Sequence, residues 1–120
     1  MDQVLVDTSV WIRHFRVTNM HLRQLLDEER VVTHELIIAE LAVGSIPKRE
    51  QTLRDLGHLK VLQSVALEEF LTLVDSSKLA ASGLSAIDVH LLASAIVAGV
   101  ELFTHDTKLN SARRRIELRR

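Results

Sequence analysis

Short apolar runs alternate with amphipathic stretches along this chain of 120 residues. Compact apolar runs bounded by polar residues predict strands, and apolar positions three and four residues apart predict helices. The predicted strands are Gln3 to Val6, Arg30 to Val32, Leu59 to Leu62 and Val100 to Thr104, with Ile116 to Leu118 as a candidate edge strand. The predicted helices are Thr8 to Phe15, His21 to Glu29, residues 34 to 43, Lys48 to Leu56, Leu67 to Leu79, Ser85 to Ala98 and Thr107 to Arg114.

This alternation predicts an α/β fold with a mainly parallel sheet. Thr33 stands where the third helix would begin and is predicted to cap it, and Gly44 to Pro47 reads as the stop after that helix. Ligands of such folds bind beyond the carboxyl ends of the strands. Residues directly after each strand are therefore the first candidates for a functional site.

Composition narrows the class of protein. The length predicts one domain over residues 1–120, and 47% hydrophobic and 26% charged residues are ordinary for a globular protein. The chain has no cysteine, which excludes thiolate metal sites and cysteine nucleophiles and fits a reducing cytoplasm. No secretory signal or membrane span is predicted, because the longest nearly apolar run, Leu91 to Phe103, is too short and is interrupted.

Four carboxylates stand out. Asp7 and Asp106 each follow a predicted strand and precede a helix, where an aspartate commonly serves as the N-cap. Asp88 lies three residues after Ser85, a spacing that resembles a capping box, yet it also heads an apolar helix face. Each of these three acids therefore has both a structural and a functional interpretation.

Glu40 is harder to explain as a structural residue. It is not at a helix start, and the stretch Leu36 to Val43 is otherwise apolar. A buried carboxylate without a partner costs several kcal/mol, so an arginine or a metal ion is expected beside it. We predict a metal ion.

Taken together, the four acids predict a metal site. Two like charges about 4 Å apart repel by roughly 4 kcal/mol at an effective dielectric constant near 20, so the cluster needs a counterion. Oxygen ligands suit Mg²⁺ or Mn²⁺. Thr8, Ser9 and Thr104 are placed to orient the carboxylates by hydrogen bonds.

The motifs that carry these acids resemble, in order along nearly the whole chain, those of the PIN-domain family. The closest likeness is to VapC-type toxins of bacterial toxin–antitoxin pairs. The motifs are Val4 to Ile12, Glu35 to Leu41, Leu84 to Ser94 and Leu102 to Leu109. The resemblance implies a three-layer α/β/α sandwich, with Asp7, Glu40, Asp88 and Asp106 as the acidic quartet of the family. It also implies endoribonuclease activity, dimerisation and inhibition by a cognate VapB-type antitoxin.

The expected chemistry is hydrolysis of an RNA phosphodiester, leaving a 5′-phosphate and a 3′-hydroxyl, with Asp7, Glu40 and Asp88 holding the cation and Asp106 completing the site. A net charge of −1 means that phosphate contacts must be local. The candidate cations are Arg13, Arg16 and Lys108, with the basic tail of Arg113 to Arg115, Arg119 and Arg120. The six histidines show no metal-binding spacing and are expected at the surface or satisfied in the core.

Two alternatives remain open from the sequence. The acids of a non-catalytic module would bind a metal or a partner without turnover. A phosphatase of the haloacid-dehalogenase type would require Asp-x-Asp after the first strand, and here the sequence is Asp7-Thr-Ser9. The second alternative is therefore disfavoured.

Overall fold

The computed structural model describes residues 2–119, except for the side chains of residues 118 and 119. Within that part of the chain, four strands alternate with seven helices. They are β1 (Val4–Val6), α1 (Thr8–Arg16), α2 (Met20–Asp27), β2 (Val31–His34), α3 (Glu35–Val43), α4 (Arg49–Gly57), β3 (Lys60–Leu62), α5 (Leu67–Ser76), α6 (Ala86–Ala98), β4 (Glu101–Phe103) and α7 (Thr107–Arg119).

The strands form one sheet in the order β3-β2-β1-β4, and every pairing within it is parallel. Val4 pairs with Val31 on one side and with Glu101 on the other, so β1 is an interior strand. The chain moves from β1 through β2 to β3 in one direction and then crosses back to place β4 on the other side of β1. The order of the strands therefore reverses between β1 and β4, which is where α/β folds of this type form their binding crevice.

Helices cover both faces of the sheet. Crossovers between parallel strands are right-handed, so the connections β1 to β2 and β2 to β3 place α1 to α4 on one face. The return to β4 runs in the opposite direction and places α5 and α6 on the other face. Direct contacts between α1 and α3, α3 and α4, and α5 and α6 agree with this division. The result is the three-layer α/β/α sandwich that the resemblance implied.

The core lies in the two interfaces between sheet and helices. All three residues of β1 are buried, as expected for an interior parallel strand. From the helices, Val10, Leu22, Ile37 and Leu41 pack against one face, and Leu91 and Leu92 of α6 line the other. This packing holds the strand ends, and hence the residues that follow them, in fixed positions.

Two details of the sequence interpretation are wrong. Ile116 to Leu118 are not an edge strand, because α7 continues through them to Arg119. Leu109, Ala112 and Ile116 are buried at helical spacing, so packing of one helix face outweighs the local strand preference. Thr33 does not cap α3 either: β2 extends two residues beyond Val32 and includes Thr33, and the imidazole of His34 takes the cap position.

The remaining elements are found where the hydrophobic pattern predicts them, with shifts of a few residues at their ends. Apart from α7, which ends at Arg119 instead of Arg114, the largest shift is in α5, which ends at Ser76 instead of Leu79. Among the described residues, no helix combines the length and the apolar character that crossing a bilayer requires.

Candidate active site at the carboxyl edge of the sheet

Three neighbouring strands deliver polar residues to one edge of the sheet. Asp7 follows the interior strand β1, Thr104 and Asp106 follow β4, and α3 with Glu40 follows β2 directly. The helix α6 leads back to the start of β4 and therefore runs against the strands, which turns its N-terminal end and Asp88 toward the same edge. The topology thus brings all four predicted acids to one side of the molecule.

Asp7 is the most enclosed of the four acids, with only 6% of its surface exposed. Its Oδ1 accepts a hydrogen bond from the backbone N–H of Thr8 at 2.8 Å. Its Oδ2 accepts from the hydroxyls of Ser9 at 2.8 Å and Thr104 at 2.7 Å. All three donors are neutral, so the negative charge of this buried carboxylate has no cationic partner among the described residues. A bound cation would supply one.

Thr104 and Ser9 fix this carboxylate from two different elements. Each hydroxyl has a single proton and donates it to Asp7, so the 3.3 Å between Ser9 Oγ and Thr104 Oγ1 is a close approach of two donors to the same acceptor. Ser9 Oγ also accepts from the backbone N–H of His105, and Thr104 Oγ1 from that of Asp106. Both hydroxyls thus hold the carboxylate of Asp7, and their role in orienting a metal ligand stays a prediction.

Asp106 is part of the same network but faces solvent. Its Oδ1 accepts from the backbone N–H of Leu109 at 2.9 Å, so this residue is the N-cap of α7 as the structural interpretation expected. Asn110, one turn later, donates from its side-chain amide to the carbonyl of Thr104 at 2.9 Å. The strand-to-helix junction after β4 is therefore tied to Asp7 through Thr104.

Glu40 reaches the cluster through Thr8, whose hydroxyl donates to Glu40 Oε1 at 2.8 Å. The helix around it is less buried than its apolar sequence suggests, since Ile37 and Leu41 are enclosed whereas Val43 is 90% exposed. Glu40 itself is half-buried, and no arginine contacts it among the described residues. Its predicted need for a partner is met in part by Thr8.

Asp88 stands apart from this network. It forms a full capping box with Ser85: Asp88 Oδ2 accepts from the backbone N–H of Ser85, and Ser85 Oγ accepts from that of Asp88, each at 3.1 Å. The interpretation of Asp88 as part of a capping box is therefore correct for the contacts that this structure shows. The structure places it at the right edge of the sheet but does not join it to Asp7.

The set of donor atoms suits a hard divalent cation, although the side chains are not already gathered around one. Among the described residues, Glu40 Oε2, Asp88 Oδ1 and Asp106 Oδ2 accept no hydrogen bond, and Asp7 Oδ1 accepts only one. Carboxylate oxygens without protein donors are what Mg²⁺ and Mn²⁺ require. Yet no three acidic or histidine side chains of residues 2–117 converge into a ready cation site. Mutual repulsion of the carboxylates opposes such convergence without a cation.

The residues predicted to contact phosphate differ in their exposure and in whether they already form an ion pair. Arg13 and Arg16 are exposed on α1. Lys108 lies across Gly83, where an added Cβ would come within 2.9 Å of its Nζ, so it spans from the junction after β4 to the loop before α6. Arg113 is already paired with Glu117 at 3.0 Å, and this ion pair competes with a phosphate. Arg120 and the side chain of Arg119 lie outside the described residues.

One polar residue near the site was not singled out by the sequence interpretation. His34 is fully buried where β2 meets α3, with hydrogen bonds to Leu36 N and to Ser94 Oγ. Burial lowers its pKa, with smaller opposing effects from Glu35, which raises it, and His90, which lowers it. Its partner Ser94 is a polar residue in the middle of the apolar helix α6, but nothing in the sequence links Ser94 to His34.

Comparison with known proteins identifies the family of this chain. A family model described as PIN domain matches residues 4–115. Ribonuclease VapC32 of Mycobacterium tuberculosis, strain CDC 1551, is 43% identical over 110 residues, which cover 91% of this chain and 89% of that protein. The figures are the same for Ribonuclease VapC32 of strain H37Rv.

Two solved structures share the fold at low sequence identity. PAE2754 from Pyrobaculum aerophilum aligns with a TM-score of 0.65 at 20% identity, covering 98% of this chain and 88% of that one. FitAcB from Neisseria gonorrhoeae aligns with a TM-score of 0.67 at 20% identity, covering 93% of this chain and 94% of that one.

Proposed function

Because this chain belongs to the PIN-domain family, we propose that it is an endoribonuclease toxin of the VapC type, which hydrolyses RNA phosphodiester bonds and is inhibited by a cognate VapB-type antitoxin. The family assignment rests on the match over residues 4–115 and on the 43% identity to a protein named as a ribonuclease. The observation that carries the proposal is Asp7, a buried and uncompensated carboxylate held by three neutral donors at the switch point of the sheet. The whole chain, 1–120, would act as one nuclease domain.

The proposed cofactor is Mg²⁺ or Mn²⁺, held by Asp7, Glu40, Asp88 and Asp106 directly or through water. When bound, it supplies Lewis acidity toward the phosphoryl group and the attacking water. Asp7 needs little rearrangement, because Ser9 and Thr104 already hold its carboxylate. Glu40 has one oxygen held by Thr8 and the other free. Asp88 keeps its cap through Oδ2 while Oδ1 remains available.

Phosphate groups of the RNA would contact Lys108 first. Its side chain lies over Gly83, a glycine with φ of +88° in the loop that leads to α6, so a cation stands between the elements that carry Asp106 and Asp88. Arg13 and Arg16 extend the positive surface along α1. This local arrangement supports RNA binding by a chain whose net charge is only −1.

We place the antitoxin on a groove of about 320 Å³ between α1, α2 and α4, lined by Trp11, His14, Phe15 and Leu56 among others. Trp11 Nε1 is buried and has no acceptor among the described residues, so a bound peptide that shifts the indole would supply one from its backbone. Trp11 is the single tryptophan of the chain. Antitoxin binding there should shift its fluorescence emission, and unchanged emission in a stable complex would place the antitoxin elsewhere.

The homodimer and the cytoplasmic location are also proposals. Exposed apolar side chains on α3, α5 and α6, namely Val43, Leu67, Leu71 and Val97, support association with a second copy. Light scattering on the purified protein measures the mass directly. A chain without cysteine suits the reducing cytoplasm, where a toxin would meet its RNA.

The test is cleavage of RNA by purified protein, followed with a 5′-labelled substrate in Mg²⁺, in Mn²⁺ and after chelation. We expect cleavage with either metal, none after chelation, and cleavage reduced by about 100- to 1000-fold with Asp7→Asn. Asp75→Asn, a change of an exposed acid on α5, is the matched control. Cleavage that survives both chelation and Asp7→Asn would overturn the metal assignment.

A non-catalytic role is the second candidate. The observation that favours it is that Asp88 and Asp106 serve as helix caps and that no ready cation site exists within residues 2–117. A non-catalytic module would bind Mn²⁺ or the antitoxin and leave the RNA intact under every condition of the same assay.

A further inference from the structure

A chain of three hydrogen bonds, centred on a buried one between His34 and Ser94, links the helices that carry Glu40 and Asp88. Leu36 N–H donates to His34 Nδ1 at 3.0 Å, His34 Nε2 lies 2.9 Å from Ser94 Oγ, and Ser94 Oγ donates to the carbonyl of Gln63 at 3.0 Å. His34 is fully buried and Ser94 is 4% exposed. The chain joins β2, α3, α6 and the residue after β3 at one point.

The donors and acceptors allow only one arrangement of protons. Leu36 N–H is a donor, so His34 Nδ1 must present its lone pair and the ring proton must be on Nε2. Nε2–H then donates to Ser94 Oγ, whose own proton goes to Gln63. His34 is thereby held as a neutral imidazole with a single tautomer and a fixed ring orientation, as in the hydrogen-bonded histidines that orient other groups in enzyme sites.

The hydrogen bond between His34 and Ser94 lies at the same distance along the chain from Glu40 and from Asp88. Glu40 is six residues beyond His34 along α3, and Asp88 is six residues before Ser94 along α6. Six residues correspond to about 9 Å of helix axis. Each carboxylate is therefore connected to the His34–Ser94 hydrogen bond by about 9 Å of rigid helix. A change in the length of this hydrogen bond would change the distance between Glu40 and Asp88.

We propose that His34 is a positioning residue of the active site: its hydrogen bond to Ser94 sets the distance between α3 and α6 and so between Glu40 and Asp88. A second contact acts at the same place, since Ser64 N–H donates to Glu35 Oε1 at 3.1 Å and ties the start of α3 to the segment after β3. His34 touches neither RNA nor metal. The inference rests on the proposed metal-dependent nuclease function.

The test measures Mn²⁺ binding to the purified full-length chain by titration calorimetry, independently of cleavage. His34→Asn keeps an N-cap side chain for α3 but is too short to reach Ser94, and Ser94→Ala removes the hydroxyl. We expect each to weaken Mn²⁺ affinity by about tenfold, the range found when residues that orient metal ligands are lost. The double variant should bind no more weakly than the weaker single variant, because both break the same bond.

The matched control is Thr33→Val. Thr33 is the neighbouring residue of β2, fully buried, and its hydroxyl has no partner among the described residues, so the isosteric valine removes no hydrogen bond. Its Mn²⁺ affinity should equal that of wild type. Ser94→Thr keeps a hydroxyl at the same position and should restore most of the affinity lost in Ser94→Ala.

Cleavage kinetics separate positioning from general damage. If His34 positions the metal ligands, His34→Asn should require more Mn²⁺ for half-maximal cleavage and should approach the wild-type kcat when Mn²⁺ is saturating. A kcat that stays low at all Mn²⁺ concentrations, wild-type affinity in both single variants, or additive losses in the double variant would each overturn the proposal.

Failure of the underlying function has a different result. If the wild-type chain binds no Mn²⁺, or if Asp7→Asn binds it as well as wild type, the metal site itself is wrong and this inference is overturned with it. If wild type binds, Asp7→Asn does not, and His34→Asn binds as wild type, only the positioning proposal is overturned.

Discussion

Asp7 and Asp88 both lie next to a helix start at the same edge of the sheet, yet their surroundings differ in kind. Asp7 is held by its sequence neighbours Thr8 and Ser9 and also by Thr104, which is 97 positions away. Asp88 is held by Ser85 alone, three positions away. Local sequence is enough to explain the contacts of Asp88, whereas those of Asp7 combine a local N-cap of α1 with a hydrogen bond that only the tertiary fold provides. This difference in contacts supports the role that we propose for Asp7 in the metal site, in addition to its role as the N-cap of α1.

The largest effect should come from removing the charge of Asp7. Asp7→Asn keeps the shape of the side chain but removes the charge that a cation requires, and we expect cleavage to fall by about 100- to 1000-fold, the range seen when one electrostatic group of an active site is lost. Single-turnover cleavage measures the change. Asp75→Asn, at an exposed position of α5, should cleave as wild type. If Asp7→Asn retains its activity, the comparison fails at its first step.

The partners of the two acids provide a sharper contrast. Thr104→Val removes a buried donor to Asp7 and leaves Asp106 N–H without its acceptor, so we expect a loss of about 1 to 3 kcal/mol in the free energy of unfolding and about tenfold weaker Mn²⁺ binding. Ser85→Ala removes only a helix cap and should cost about 1 kcal/mol with unchanged Mn²⁺ affinity. Chemical denaturation and titration calorimetry measure both quantities. If Thr104→Val and Ser85→Ala weakened Mn²⁺ binding equally, the proposed difference between the partners of Asp7 and of Asp88 would be contradicted.

At Asp88 the two roles can be separated by the choice of substitution. Asp88→Asn retains an oxygen that accepts from Ser85 N–H, so its free energy of unfolding should match wild type, while Asp88→Ala should lose about 1 kcal/mol. Both variants should bind Mn²⁺ more weakly, because both lack the charge. An Asp88→Asn protein that is stable and binds Mn²⁺ as wild type would reduce Asp88 to a cap.

The smallest expected effect is on the pH dependence of stability. Burial lowers the pKa of His34 in the folded state, so as pH falls below about 6.5 the unfolded chain takes up this proton first. The contribution of His34 to stability is therefore present above pH 6.5 and is lost as the pH falls toward the folded pKa. Burial lowers the pKa of His14 in the same direction.

Denaturation between pH 5 and 7 measures this slope above the range in which carboxylates such as Glu35, whose pKa is lowered by hydrogen bonds to Ser64, contribute. His34→Asn should flatten the slope, and His58→Asn, a change of an exposed residue at the end of α4, should not. A slope that is the same in all three proteins would show that His34 does not titrate with unfolding.

The sequence predicted most of the fold because its apolar periodicity is strong. Both faces of β1 are buried, and its three residues are apolar without exception. At Ile116 the local pattern and the tertiary packing disagreed, and the packing of Ile116 with Leu109 and Ala112 on one helix face decided the structure. Such a contact depends on elements far apart in the chain, so the local pattern does not contain it.

The site was predictable in part for the same reason. Strand ends can be predicted from sequence, so Asp7, Thr104 and Asp106 could be predicted to lie at the same edge of the sheet. The spacing of Ser85 and Asp88 predicted a capping box, but the sequence also allowed Asp88 to point inward. The structure shows the capping box, because each side chain accepts a hydrogen bond from the backbone N–H of the other residue. His34 was out of reach, because its role depends on Ser94, 60 positions away, and on the choice of one tautomer.

Anomalous diffraction from crystals grown with Mn²⁺ tests the central claim most directly. The account predicts one Mn²⁺ at the carboxyl edge of the sheet between β1 and β4, coordinated by Asp7 at about 2.1 Å and approached by Glu40 from α3, with Asp88 turned toward it. Anomalous density at any other place, or none beside Asp7 at saturating Mn²⁺, would contradict it.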